Sequence, residues 1–188
     1  MGAEVITRMT FEQFRQLPDD GSRYELIHGE VRVTPSPTTR HQAVLQNLSM
    51  NLGPYVVKNH LGEVYTAPLD VRLGEDMALQ PDLIFISNAN AAIIQEDWIA
   101  GSPDLVVEVL SPSTAAHDRG TKLRIYGNAS VPEVWFIDAW AKIVEIFKLH
   151  GNKYFVEASL AGDQVLVSSL FPEWQLPLQD LFDFRGRF

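Results

Sequence analysis

Apolar and polar positions along the chain fall into short segments with two different periods. "MTFEQFRQLP" predicts a short helix: Thr10 caps it, Gln13 completes a capping box, and Pro18 marks the exit. "RYELIHGEVRV" predicts two strands around His28-Gly29. Pro35 and Pro37 then break the chain, and Thr38 or Thr39 caps a helix through "RHQAVLQNLSMNLGPYV", in which Val44, Leu45, Leu48 and Leu52 form one apolar face. "EVYTAPLDVRL" reads as one strand, interrupted or edged near Pro68. "DLIFI" and "DLVVEVL" are continuous apolar runs bounded by Pro, Ser and Asn, the pattern of central strands covered on both faces. Between them, "NANAAIIQEDWIAGS" predicts a connecting helix. "AAHDRGTKLRIYGNAS" predicts another, with Asp118, Lys122 and Tyr126 one turn apart on one side. "PEVWFID" reads as a strand, and "KIVEIFKL" and "KYFVEAS" as a hairpin joined by "HGN". "QVLVSSL", a short strand, and "LQDLFDF", a terminal turn or helix, complete the pattern. The mixed order predicts an α+β (mixed α/β) fold: a central mixed sheet flanked by helices, with an N-terminal hairpin and a C-terminal β-hairpin.

One position conflicts with that pattern. Glu108 sits amid Leu105, Val106, Val107, Val109 and Leu110. A carboxylate inside such a strand must be paired, hydrogen-bonded, protonated or metal-bound, because burying it alone is very costly. Asp82 stands at the mouth of the other apolar run. If the two strands are neighbours, Asp82 and Glu108 face each other and need a cation between them. Oxygen ligands without cysteine point to a hard divalent ion, Mg²⁺ or Mn²⁺. Lys122, on the helix after Glu108, is the expected cationic partner. Each residue also has a plainer reading. Glu108 could pair with a core Arg or Lys, Asp82 and Asp104 could cap backbone amides, and Lys122 could be a solvated helix residue or pair with Asp118. Asp70 is a third acid at a strand start; His28 and Glu30 read as a turn and a solvated edge, and Trp135 and Phe136 as core.

Composition narrows the classes. The chain has 188 residues, 46% of them hydrophobic and 21% charged, as expected for a single globular domain spanning 1–188. With no cysteine, disulfides and thiolate metal sites are excluded. "MGAEVITRMTF" lacks signal-peptide character and no apolar run is long enough for a membrane span, so a cytoplasmic protein is expected. The net charge of −9 repels phosphates on average.

Six stretches, in order, carry a resemblance: "YELIHGEV", "PSP" followed by "RHQ", "QPDLIFI", "PDLVVEVLSPST", "DRGTKLRIY" and "VPEVWFID". Together they resemble the Uma-type restriction endonuclease family of the PD-(D/E)xK nuclease superfamily. The resemblance implies a restriction-endonuclease-like core and an Mg²⁺- or Mn²⁺-dependent endonuclease that hydrolyses nucleic-acid phosphodiesters, DNA being the expected substrate. It implies that Asp82 ligates metal, that Glu108 is the acid of the Glu-x-Lys triplet and that the Val109 carbonyl is a further ligand. Glu25 and His41, in matching stretches, are implied as supporting residues. The triplet here reads Glu108-Val109-Leu110, so the ammonium is expected from Lys122 instead. Cutting two strands implies a homodimer, with the C-terminal hairpin offering edge or face for it. Leu110 and the acidic balance support an alternative, a non-catalytic domain of the same fold used for binding or assembly, and a phosphoesterase acting on a smaller substrate is a third reading; the nuclease is the favoured one, because Asp82, Glu108 and Lys122 would be needless in a scaffold.

Overall fold

In a computed structural model the described residues are 8–18, 20–110 and 115–186, the side chains of 115–118 excepted. Thr10 caps α1 (Phe11–Phe14) in a complete capping box with Gln13. The first hairpin is β1 (Arg23–Ile27) and β2 (Glu30–Thr34), turning at His28 and Gly29, both with positive φ. A side chain at position 29 would run into Arg8, and glycine alone accepts both demands. Thr38 then caps α2 (Thr39–Lys58) by accepting from the His41 N–H, 3.2 Å away. Next come β3 (Gly62–Thr66), β4 (Asp70–Gly74), β5 (Met77–Leu79), β6 (Leu83–Ser87), β7 (Trp98–Ala100), β8 (Leu105–Leu110), α3 (Ala115–Asn128), β9 (Glu133–Asp138), β10 (Ile143–His150), β11 (Lys153–Leu160), β12 (Val165–Leu166), β13 (Leu176–Pro177) and α4 (Leu178–Leu181).

The expected central mixed sheet is the larger of two main sheets, and the expected N-terminal hairpin belongs to the other. The larger has six strands in the order β11-β10-β9-β8-β6-β3, and the other five, β2-β1-β5-β4-β7. The larger sheet is mixed, with β6 antiparallel and β9 parallel to β8. Its two faces take alternate residues. Leu83, Phe85, Leu105, Val107 and Val109 join the α2 residues Val44, Leu45, Leu48 and Leu52 in one core. Ile84, Ile86 and Val106 join Ile125 and Tyr126 of α3, with Val71 and Leu79 of the smaller sheet, in a second. That explains the unbroken apolar runs of β6 and β8, which have no wet face.

Two expectations are corrected. "EVYTAPLDVRL" is two strands, β3 and β4, which belong to different sheets on either side of Pro68. "NANAAIIQEDWIAGS" is not a connecting helix. Asn88–Ile93 forms a 3₁₀ helix with no buried residue, and Trp98–Ala100 runs parallel to β4 with Ile99 buried. Asn90 turns its amide to the Ser102 carbonyl (2.9 Å), a side-chain bond that competes with helix. "QVLVSSL" is extended only at Val165–Leu166.

Candidate active site

The antiparallel register pairs Leu83 with Val107 and Ile84 with Val106; continued by one residue, it sets Asp82 opposite Glu108. Glu108 shares the parity of Val106 and points towards α3. Both acids are buried, at 4% and 5% exposure, as are Glu25 and His41, each at 7%.

Asp82 is held from three sides. Its Oδ2 accepts the Val109 N–H at 2.8 Å and lies 3.0 Å from His41 Nε2, while Oδ1 is 3.6 Å from the Arg23 guanidinium. Burial alone would raise its pKa; the His41 hydrogen bond, the Val109 N–H and the Lys122 charge outweigh it and hold the group below the usual carboxylate range. An ionised carboxylate only accepts, so His41 carries its proton on Nε2. His41 reaches this position because Thr38 starts α2 there, and its buried Nδ1 has no partner among the described residues.

Glu108 receives one donor on each oxygen. Lys122 Nζ is 2.8 Å from Oε2, and the Tyr126 hydroxyl donates to Oε1. Lys122 and Tyr126 are one helical turn apart on α3, so a single helix face supplies both. Burial pushes Glu108 up to about 7; Lys122 pulls the other way, and the carboxylates of Asp82 and Glu25 add to the rise. For Lys122, burial would lower the pKa, yet Glu108, Glu25 and Asp82 raise it well above the ordinary lysine value, so the ammonium stays charged. Burial and Glu108 also raise Tyr126 well above an ordinary phenol.

Glu25 brings the other sheet into the cluster. Its Oε1 is 3.6 Å from Lys122 Nζ and accepts the Gln80 N–H at 3.3 Å. Gln80 also donates to Asp70 Oδ1 (2.9 Å) and accepts from Arg23 Nε (3.1 Å). A cleft of ≈450 Å³ leads in from solvent to Asp82 past Ser22, Arg23, Pro37, Gln42 and Gln80.

The structure therefore brings together Asp82, Glu108, Lys122, Val109, Glu25 and His41. Asp70 stays one residue removed, behind Gln80. Asp104 caps, accepting from the Ser87 N–H (2.8 Å) and Asn90. Lys122 pairs with Glu108 and Glu25, and the Asp118 side chain lies outside the described residues. Trp135 and Phe136 are core, and His28 and Glu30 are exposed. Sequence reading did not find Arg23 or Gln80, for which no local pattern speaks. It noted the spacing of Tyr126 without its consequence.

Among the described residues, no three His, Asp or Glu side chains converge on a metal-sized point. The donor set still fits a hard divalent ion, which takes one or two carboxylates and keeps several waters. Asp82 and Glu108 supply the carboxylates. In an extended chain the carbonyl leaves on the same side as the N–H of its residue, so the Val109 carbonyl faces the same end of β6 as the N–H bonded to Asp82.

This fold is matched elsewhere. A crystal structure described as that of "a putative nuclease" from Anabaena variabilis superposes with a TM-score of 0.77 over 93% of this chain and 97% of that one, at 21% identity. A relative in Synechocystis sp., "Uncharacterized protein sll1609", is 24% identical over 170 residues, covering 89% of this chain and 94% of the relative. Among the described residues no helix is long and apolar enough to cross a membrane. The family model Uma2, "Putative restriction endonuclease", matches residues 11–179, and the chain belongs to that family.

Proposed function

We propose that the protein is a divalent-metal-dependent endonuclease, acting on DNA, with Asp82, Glu108 and Lys122 as its catalytic residues. The observation that carries this reading is the charged Lys122 ammonium, 2.8 Å from Glu108 and 3.6 Å from Glu25, in a buried cluster that also contains Asp82. A scaffold gains little from three buried acids around one lysine, since an apolar cluster of the same volume is often as stable or more so.

Mg²⁺ or Mn²⁺ bound by Asp82, Glu108 and the Val109 carbonyl would lower the pKa of a water and neutralise phosphate charge. The chain's own groups do the rest. His41 and the Val109 N–H fix the Asp82 carboxylate in one orientation, and Tyr126 fixes Glu108. Lys122 is held charged between Glu108 and Glu25 with its side chain 17% exposed, where it can orient the attacking water and stabilise the charge that develops on phosphorus-bound oxygens. Its position on α3 supplies the ammonium that Leu110 cannot. Glu25 is a positioning residue that holds Lys122 between the acids. The cleft beside Arg23 admits the phosphate.

We also propose a homodimer, which supplies one such site per strand of a duplex. β11 forms one edge of the larger sheet and exposes Phe155 and Val156 at 57% and 56%.

The test is nicking of supercoiled plasmid with Mg²⁺ or Mn²⁺ against EDTA. Asp82→Ala, Lys122→Ala and Lys122→Arg should each lose most cleavage while remaining folded, the last because a guanidinium is larger and forked. Lys148→Ala and Lys153→Ala should cut normally. Full cleavage by Lys122→Ala beside an inactive Asp82→Ala would remove lysine from the mechanism. A folded wild type that never cuts any nucleic acid with either ion would leave the cluster as part of a binding domain.

A further inference from the structure

A second surface lies beside the carboxylate cluster. β8 and β9 are parallel, with Glu108 opposite Phe136 and Leu110 opposite Asp138, so the turn after β9 lies along the same rim of the sheet as Glu108. That turn carries Trp140, 41% exposed, whereas Trp135 and Trp174 are buried and Trp98 half-buried. Asp138 Oδ1 accepts the N–H of Trp140 (2.9 Å) and of Ala141 (2.8 Å), which fixes the turn. The Arg40 guanidinium lies 5.5 Å from the Trp140 ring centre and 4.9 Å from that of Phe184, and Lys142 Nζ lies 5.6 Å from Phe184. Arg40 directly precedes His41, which touches Asp82. A second cleft, ≈310 Å³, continues this surface past Phe184 and Arg185 along α2.

In a chain with 15 basic and 24 acidic residues, this surface gathers Arg40, Lys142 and Arg185. Of the nearby acids, Asp138 caps its own turn, Asp183 accepts the Arg185 N–H at 2.7 Å, and Glu145 pairs with Arg119 at 2.6 Å. An exposed indole with the Arg40 guanidinium over it, and with Lys142 against the neighbouring Phe184, matches a phosphodiester chain that offers bare base faces, because aromatic–base stacking needs an unpaired base.

We propose that Trp140, with Arg40 and Lys142, is a stacking platform for an unpaired stretch of nucleic-acid strand next to the phosphate held at the carboxylate cluster. This rests on the nuclease reading only for what lies at the cluster; the contact itself needs neither metal nor cleavage. A substrate with a frayed, looped or single-stranded segment is then preferred over an intact duplex.

The experiment is a binding titration in EDTA with labelled oligothymidylate of about 15 nucleotides and a blunt duplex of the same length. Tryptophan emission should be quenched by the single strand, and the duplex should bind more weakly. Trp140→Ala should lose the quench and weaken single-strand binding about tenfold. Trp140→Phe should keep most of the affinity without the quench, separating stacking from any effect of Trp140→Ala on folding. Lys142→Ala should reduce the salt dependence by about one phosphate contact. Equal affinity in Trp140→Ala, or duplex binding as tight as single-strand binding, would overturn the proposal and leave the ring as a support for the turn on α2. Plasmid nicking unaffected by Trp140→Ala alongside such binding data rejects this proposal but not the nuclease. Single-strand binding that needs Trp140, in a protein that never cuts, keeps it and rejects the nuclease.

Discussion

Replacing Glu108 with glutamine in the metal-free protein isolates what the buried acid does to stability. Glu108 titrates at about 7 in the fold against 4.5 for the ordinary group. At roughly 1.4 kcal/mol per tenfold difference in proton affinity, that gap corresponds to about 3 kcal/mol. The sign follows from the direction. The folded state holds this proton more tightly than the unfolded chain does, so below about 4.5 the group costs nothing; stability falls as pH rises from there to about 7, and then levels. Glutamine keeps the shape and never ionises. Its single carbonyl can accept from Tyr126 or from Lys122 but not both, which sets a constant offset of about 1–3 kcal/mol. The offset does not vary across the window, so the difference between the two proteins should change by about 3 kcal/mol from pH 4.5 to 8, in favour of the variant at the alkaline end. Urea unfolding in EDTA at stepped pH reads this directly, with equal slopes confirming that the unfolded states are alike. Parallel pH profiles would refute the reasoning. A variant that loses ground at high pH would show that Lys122 outweighs burial and that Glu108 is an ordinary ion-paired carboxylate.

Two further outcomes bear on the same cluster and on the assembly. Millimolar Mn²⁺ should raise the melting temperature of the wild type and not of Asp82→Ala, with about 2.7 kcal/mol gained at a hundredfold excess over Kd; equal shifts in the two proteins would place the ion elsewhere. Light scattering at tens of micromolar should report twice the chain mass, and a monomer there would remove the dimer from the scheme.

What could be read from sequence was what short-range pattern encodes. Thr10 and Thr38 announce their helices by capping chemistry, and the apolar runs of β6 and β8 announce a doubly covered sheet. Glu108 was conspicuous because a charge in such a run demands a partner. The misread segments depend on distant ones. Nothing near Trp98 says that it will lie parallel to Asp70, and nothing near Pro68 says that the chain changes sheets there. Arg23 and Gln80 were invisible for the same reason. They meet Asp82 and Glu25 only through pairings between elements that the local pattern does not specify.

That dependence on distant pairing has a kinetic side. His41 meets Asp82 across 41 residues, Val109 meets it across 27, and Glu25 meets Gln80 across 55. Contacts of such separation close late, after the entropy of their loops has been overcome. Strands from both sheets, together with α2 and α3, must be in place before the acids and the lysine share one locality. A chain still emerging from the ribosome, or one with the first hairpin peeled away, holds an incomplete set. The complete cluster then arrives only with the finished topology, because its members come from elements far apart in the chain.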